Sequence, residues 1–367
     1  MNSRVQHLIT TFLLLPVVIA SPSAKGFAQQ GISPAQATPP DQRPAALAPR
    51  TDRHITLDIV VTDRSGKPVP GLQQQDFTIL DNKQPRTVLS FSPLDAASKA
   101  ADRPLQAVVL VDEVNTPYQG LATERQQLEE FLRRDRGELP VPMSLILFPD
   151  MSEGQTVVTR DGNALADSLN SMQLGLRTHT RSQGYYGGTE SRQVSVNALG
   201  RIASYEATQP GRKLLIWLGP GWPLLEGPVV GLSSRDQEAL FRIVVRVSTL
   251  LREARVTLYN INPPGTTGSL ASFYYENFLK GVGSAKKVQN GNLALQVLAV
   301  QSGGRVLNAS NDVAASAASC LEDAKAFYTL TFDAPVADHP NEYHNLQVKI
   351  GKPGLTARTR TGYYAQP

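Results

Sequence analysis

The sequence predicts a mixed α/β fold, in which a doubly wound, mostly parallel sheet is inserted between the two halves of a small β-sandwich. Over residues 103–325, apolar strand-like runs alternate with helical patterns, which is typical of a parallel sheet with helices on both faces. Residues 54–98 and 326–367 instead contain short strands joined by turn residues. Because three or four strands make only half a sandwich, we expect these two β segments to pair. The alternative is that residues 326–367 extend the central sheet.

The two β segments show their strands by alternation of apolar and polar residues. Residues 54–62 place four aliphatic side chains on one face, which predicts a half-buried strand. Further strands are predicted over 77–80, 86–91, 326–332, 343–350 and 355–363.

In the α/β region, residues 105–111 form the first predicted strand, and six of these seven residues are apolar. Further strands are predicted over 142–148, 156–160, 213–218, 256–261 and 305–307, and the short strand 156–160 is expected to be antiparallel. Helices are predicted over 122–134, 164–172, 194–207, 236–254, 292–301 and 312–325.

The first 28 residues have the pattern of a secretory signal peptide. Arg4 precedes an apolar run over 8–20, which is too short to span a bilayer. Small residues suited to cleavage follow at Ala20 and at Ala28, of which we favour Ala28. An uncleaved anchor is the alternative. Residues 29–53 are rich in Pro, Gln and Ala, which indicates a flexible linker. We therefore expect an exported protein, periplasmic or extracellular, with no membrane span after signal cleavage.

Composition and charge exclude some classes of function. The chain has 367 residues, 41% of them apolar, and is long enough for two or three domains. Without residues 1–28 it carries 34 basic and 32 acidic side chains, so its charge does not indicate a nucleic-acid partner. Cys320 is the only cysteine, which excludes an internal disulfide, and its Ala-rich helical surroundings predict a small buried residue.

The first strand of the α/β region ends in oxygen-bearing side chains. Asp112 and Glu113 come directly after it, followed by Asn115 and Thr116. Ligands of open α/β sheets bind beyond the carboxyl ends of the strands, and such oxygens suit a hard divalent cation. The alternative is that these residues form a turn that caps the next helix.

A second candidate site is a polar loop over 177–189 that could recognise a partner. Arg177, Arg181, Tyr185 and Tyr186 belong to residue types that anchor protein interfaces, and Trp222 follows a later strand at the same predicted edge. We expect these five side chains to contact another protein or a surface polymer. The alternative is a mobile, solvated loop.

Both ends of the chain carry motifs of a known family. The leading segment contains PVPGLQQQDFTILDNKQPRTVLSF, and the closing segment contains AFYTLTFDAP and KPGLTARTRTGYYAQP. With the order of elements between them, these motifs resemble the bacterial VWFA-related domain proteins known from Acidobacteria. Residues 103–325 resemble a von Willebrand factor type A domain, which has a Rossmann-like doubly wound fold.

The resemblance implies a metal-ion-dependent adhesion site, in which Asp-x-Ser-x-Ser, a later Thr and a later Asp hold a cation. Asp112 matches the leading Asp, Thr116 the second Ser and Thr189 the later Thr, with Glu113 and Asn115 as substitutes.

Two ligands of that family site are missing here. Val114 stands where the first Ser belongs, and Gly219 or Pro220 stands where the final Asp belongs. Because hard cations need charged oxygens, the resemblance implies a degenerate site that binds Mg²⁺ or Ca²⁺ weakly or not at all.

Hydrolase signatures are absent from the sequence, which contains neither G-x-S-x-G nor H-E-x-x-H. His179 is the one histidine predicted near the edge, while His54, His339 and His344 are predicted to be solvated. We therefore expect a non-enzymatic, exported binding protein that recognises a protein or surface ligand at the carboxyl edge of the sheet. The alternatives are an exported hydrolase that uses the same edge and a scaffold subunit of an envelope complex.

Overall fold

The computed structural model describes residues 53–94, 105–148, 155–172, 185–223, 231–264 and 271–367. The predicted signal peptide, the linker, Arg177, His179 and Arg181 lie outside these residues, as do the side chains of Tyr185 and Tyr186. Within the described part of the chain, no helix is long and apolar enough to cross a membrane.

The described residues form fourteen strands and six α-helices. The strands are β1 (His54–Thr62), β2 (Phe77–Asp81), β3 (Gln84–Arg86), β4 (Val88–Leu94), β5 (Leu105–Asp112), β6 (Glu138–Phe148), β7 (Thr159–Asp161), β8 (Arg212–Leu218), β9 (Val256–Ile261), β10 (Val306–Leu307), β11 (Phe327–Asp333), β12 (Glu342–Ile350), β13 (Thr356–Arg358) and β14 (Gly362–Ala365). The helices are α1 (Tyr118–Arg133), α2 (Gly162–Ser171), α3 (Tyr185–Glu206), α4 (Ser234–Glu253), α5 (Leu295–Gln301) and α6 (Val313–Glu322).

The central sheet is six-stranded and mostly parallel, in the order β10-β9-β8-β5-β6-β7, with only β7 antiparallel to its neighbour. Side chains of β5 alternate between the two faces. Val108 and Leu110 pack against α3, α4 and α5, whereas Val109 and Val111 pack against α1, α2 and α6. Helices therefore cover both faces, which explains why the inner strands are apolar throughout.

The strand order reverses at β5. The chain passes from β5 to β6 and β7 on one side of β5, and the later strands β8, β9 and β10 lie in order on the other side. A crevice between the carboxyl ends of β5 and β8 follows from this reversal, and in open α/β sheets this is where ligands bind. Asp112 ends β5 and Gly219 follows β8, so both residues lie at this crevice.

Strands from both ends of the chain form two antiparallel sheets, β13-β1-β11-β4 and β14-β12-β2-β3. Each sheet pairs N-terminal with C-terminal strands, for example Leu57 with Leu330 and Asp81 with Leu346. One apolar cluster joins residues of both sheets, including Phe332. None of the described C-terminal strands joins the central sheet.

Ion pairs connect the first of these sheets, β13-β1-β11-β4, to the α/β region. Arg255, just after α4, donates to the Asp58 carboxylate on β1 at 2.5 Å. Arg358 on β13 donates to Asp323, which follows α6, also at 2.5 Å. The charged side chains therefore stabilise the contact between the inserted α/β region and the strands on either side of it.

The structure contradicts the sequence predictions for His344 and for the start of α3. His344 is 4% exposed rather than solvated, because its Nδ1 pairs with the buried carboxylate of Asp81 at 2.8 Å. Helix α3 begins at Tyr185 rather than near residue 194, so Tyr185, Tyr186 and Thr189 belong to a helix and not to a loop.

The prediction for Cys320 is confirmed. The side chain is fully buried, and burial raises the pKa of its thiol to about 12. A thiol with this pKa stays protonated at neutral pH and lacks thiolate reactivity.

Candidate functional site

The Asp112 carboxylate lies at the crevice and accepts five hydrogen bonds from described residues. Its Oδ1 accepts from the backbone N–H groups of Val114 at 3.1 Å and Asn115 at 2.9 Å. The Asn115 Nδ2 donates to Oδ1 at 3.0 Å and to Oδ2 at 2.8 Å, and Trp217 Nε1 donates to Oδ2 at 2.9 Å. The two bonds from backbone N–H groups form a turn of the kind that the sequence analysis gives as the alternative to cation binding.

These donors offset the cost of burying Asp112. Burial raises the pKa of the Asp112 carboxyl, and the hydrogen bonds from Asn115 and Trp217 act against that rise. The Asn115 amide also contacts Ser195 Oγ on α3 at 3.1 Å. Asp112 and Asn115 therefore join β5, β8 and α3 at the crevice, because Trp217 belongs to β8.

Gly219 closes the crevice from the β8 side. Its φ is +128°, and a Cβ there would lie 2.6 Å from Thr116 Oγ1 and 2.8 Å from Asp112 Cβ. Asn260 Nδ2 holds the Gly219 carbonyl at 2.8 Å, and Gln296 Nε2 holds the Pro220 carbonyl at 2.9 Å. Residue 219 must therefore be glycine, and an aspartate at that position would not fit.

Trp222 lies in the core and not on the predicted recognition surface. It is 3% exposed, its Nε1 donates to the Leu293 carbonyl at 3.0 Å, and its ring packs edge-on against Trp217. Trp222 packs inward because the indole finds both an apolar neighbour and a hydrogen-bond acceptor there. As placed, it is not available to a partner.

The residues at the crevice do not fit the cation site that the resemblance implies. N–H donors contact both oxygens of Asp112, and the substitute ligand Glu113 pairs with Arg125 at 3.3 Å. Thr189 is half-buried on α3. Among the described residues, no group of three or more His, Cys, Asp or Glu side chains could hold a metal ion.

Glu124 on α1 is a site residue that the sequence analysis missed. It is 1% exposed, and neither carboxylate oxygen accepts a hydrogen bond of good geometry from the part of the chain that the structure describes. Burial and then the charge of Asp112 raise its pKa to about 8, although the nearby Thr116 hydroxyl lowers it slightly. Because Glu124 lies three residues after Leu121 and four before Leu128 on the buried face of α1, helical periodicity was the signal that could have found it.

A cavity of about 390 Å³ opens beside Glu124 at the same edge of the sheet. It lies between α1, the end of β9 and the start of α6. Its lining residues are Gln119, Gly120, Thr123, Glu124, Gln127, Pro263, Asn311 and Val313. Gly219 closes the crevice itself, whereas among the described residues this cavity is a space at the same edge that a ligand could enter.

Comparisons with known proteins add little to this geometry. No protein-family model matches the sequence, and no curated protein matches it. One matching solved structure is the human COPII-coat protein Sec24c, with 9% identity, 72% of this chain and 44% of that chain covered, and a TM-score of 0.32. The chain thus spans less than half of that structure, and a similarity of this quality carries no argument about function.

Replacing EDTA with millimolar Mg²⁺ or Ca²⁺ should leave the thermal unfolding midpoint of the full-length protein unchanged. The physical reason is that N–H donors already contact both oxygens of Asp112. A cation bound at about 100 times its dissociation constant would add about 2.7 kcal/mol and move the midpoint by several degrees. A shift of that size that disappears in Thr116→Val, which removes one ligand oxygen, would contradict this account.

Glu124→Gln should gain stability relative to the natural chain as the pH rises. The natural Glu124 holds its proton to about pH 8 when folded but loses it near its ordinary value of 4.5 when unfolded, so folding becomes less favourable across this window. Urea unfolding at pH 5, 7 and 9 should show a relative gain on the order of 3 kcal/mol in the variant. Glu130→Gln, at an exposed position on the same helix, should follow the natural chain. Parallel curves for Glu124→Gln and the natural chain would refute the burial of an unpartnered carboxyl.

Proposed function

We propose that this chain is an exported, non-enzymatic binding protein whose type A-like α/β domain recognises a protein or surface ligand at the carboxyl edge of its sheet. The strand order, with one antiparallel strand beyond β6 and helices on both faces, supports the type A-like assignment. The N-terminal sequence pattern of Arg4 and the apolar run after it supports export.

One observation carries the proposal: the cavity beside Glu124 at the edge where α/β sheets bind ligands. Its volume of about 390 Å³ lies within the range of about 300–1,000 Å³ that ligand sites occupy. Side-chain amides and the Thr123 hydroxyl supply polar groups on its wall. The cavity is large enough for one side chain or headgroup of a partner, which suits recognition.

The arrangement gives a hydrolase little support. A nucleophile needs an adjacent base and must reach its substrate. Thr116 lies beside the carboxyl of Glu124, but it is 6% exposed and the Gly219 backbone lies over its hydroxyl. The hydroxyl therefore has no open path to a substrate, and binding without turnover is the function that this edge supports best.

Thr123→Trp should abolish ligand capture. Thr123 is exposed and lines the cavity, so the indole fills the entrance without disturbing the core. Heptapeptides displayed on phage would be selected on the full-length natural chain, and their affinities measured for both proteins by calorimetry. Gln126→Trp, at an exposed position outside the cavity lining on the same helix, should bind like the natural chain.

The bound peptides should also be recovered intact, as measured by mass spectrometry after prolonged incubation. Cleaved or modified peptide would support the hydrolase alternative. Selected peptides that bind Thr123→Trp as tightly as the natural chain would show that recognition occurs elsewhere and would contradict the proposal.

A further inference from the structure

We infer that the cavity between α1 and α6 receives a basic side chain of the partner, a lysine ammonium or an arginine guanidinium, with the Glu124 carboxylate as its counter-charge. This inference rests on the proposed function and specifies the ligand chemistry of that same site.

Glu124 is a buried carboxyl group that the described residues leave without a good hydrogen-bond donor. Its side chain is almost fully buried, yet both carboxylate oxygens lack a hydrogen bond of good geometry from described residues. The buried Thr116 Oγ1 beside it likewise has no such bond. An unpartnered buried carboxylate costs several kcal/mol, so this one gains more than an exposed carboxylate would from an incoming donor group. Asp112, by contrast, is already saturated with donors.

The described lining of the cavity carries no positive charge. No lysine or arginine is among the described residues that line it. Arg125, the next residue on α1, is directed elsewhere: it pairs with Glu113 and donates to the carbonyls of Leu169 and Met172. The described part of the chain therefore supplies no cation to Glu124, and on our inference the partner supplies it.

The lining of the cavity suits an organic cation better than a metal ion. Divalent cations need several charged oxygens at short distances, whereas this cavity offers one carboxylate and otherwise uncharged side chains. A long alkyl stem with a terminal ammonium or guanidinium suits a cavity of about 390 Å³ with amides on its wall. Charge-assisted hydrogen bonds to a buried carboxylate are among the strong ones in proteins.

A pH dependence follows from the groups that surround Glu124. The charge of Asp112 on β5 acts on Glu124, Arg125 is engaged with Glu113, and Asp312 at the start of α6 accepts from the Ala315 backbone. Binding requires the ionised form of Glu124, whose pKa in the free protein is about 8. The affinity for a basic ligand should therefore rise about tenfold per pH unit up to this pKa, while a lysine ammonium keeps its charge to about pH 10.

The test uses matched small probes and the full-length protein. N-acetyl-lysine methylamide and N-acetyl-arginine methylamide should bind at pH 8.5 with at least about tenfold higher affinity than N-acetyl-norleucine methylamide, as measured by NMR titration. Glu124→Gln should remove this preference, and Glu130→Gln should retain it. Affinity for the basic probes should fall between pH 8.5 and pH 6.5 in the natural chain and in Glu130→Gln, but not in Glu124→Gln.

Three outcomes would overturn the inference. The first is equal affinity for the basic and norleucine probes. The second is a preference that survives in Glu124→Gln, which would place the counter-charge elsewhere. The third is displacement of the basic probes by millimolar Mg²⁺ at constant ionic strength, which would make the site a metal site.

The inference can fail while the proposed function stands. Phage-selected peptides can bind in the cavity, and lose this binding in Thr123→Trp, without depending on Glu124 for their affinity. If Glu124→Gln binds those peptides unchanged, the ligand chemistry is wrong and recognition at the edge is retained. If Thr123→Trp also binds them unchanged, the proposed function fails as well.

Discussion

The carboxylate of Asp112 is held by the Asn115 amide and the Trp217 indole, and the carboxyl edge of the central sheet is built around this interaction. Trp217 is fully buried on β8, and its carbonyl accepts from Asn260 on β9. Asn115 reaches Ser195 on α3. Three neighbouring strands and a helix are therefore fixed relative to one another by polar groups that would each be costly to leave unpaired.

The same edge contains two buried carboxyl groups with opposite environments. Asp112 is stabilised by N–H donors that occupy the positions where a cation could bind, so we interpret it as a structural residue. Glu124 accepts no hydrogen bond of good geometry from the described residues, and the charge of Asp112 raises its pKa further. Burial raises the pKa of both carboxyl groups, and a buried acid with a raised pKa beside a cavity is typical of functional sites. On our proposal, this edge uses the second acid for recognition of a basic group.

Much of the fold could be predicted from the sequence because periodicity depends only on local residues. The apolar run of β8 and the alternation of β1 gave strand positions close to those observed. The predicted start of α3 is wrong because the polar segment 177–189, which includes Gly187 and Gly188, indicates a loop, whereas Tyr185 already belongs to the helix. Glycine lowers helix propensity, but packing of a helix against a sheet can override it.

The site was harder to predict because its contacts join residues far apart in the chain. Trp217 lies 105 positions from Asp112, and nothing local in either segment indicates their hydrogen bond. The burial of Trp222 is not predictable from its neighbours in sequence for the same reason, since its acceptor is the distant Leu293 carbonyl. Glu124 was predictable in principle, because a charged residue on the apolar face of α1 breaks the helical pattern.

The most direct test of this account is a ¹³C NMR titration of the glutamate carboxyl groups in the full-length protein, with Glu124 assigned by comparison with Glu124→Gln. Our account predicts that Glu124 titrates near pH 8, and that saturating methylguanidinium moves this titration to lower pH. A Glu124 carboxyl that titrates near its ordinary value of 4.5 in the free protein would contradict it. That result would mean that the folded chain already compensates the negative charge of Glu124, so that no uncompensated charge is left for a partner to neutralise.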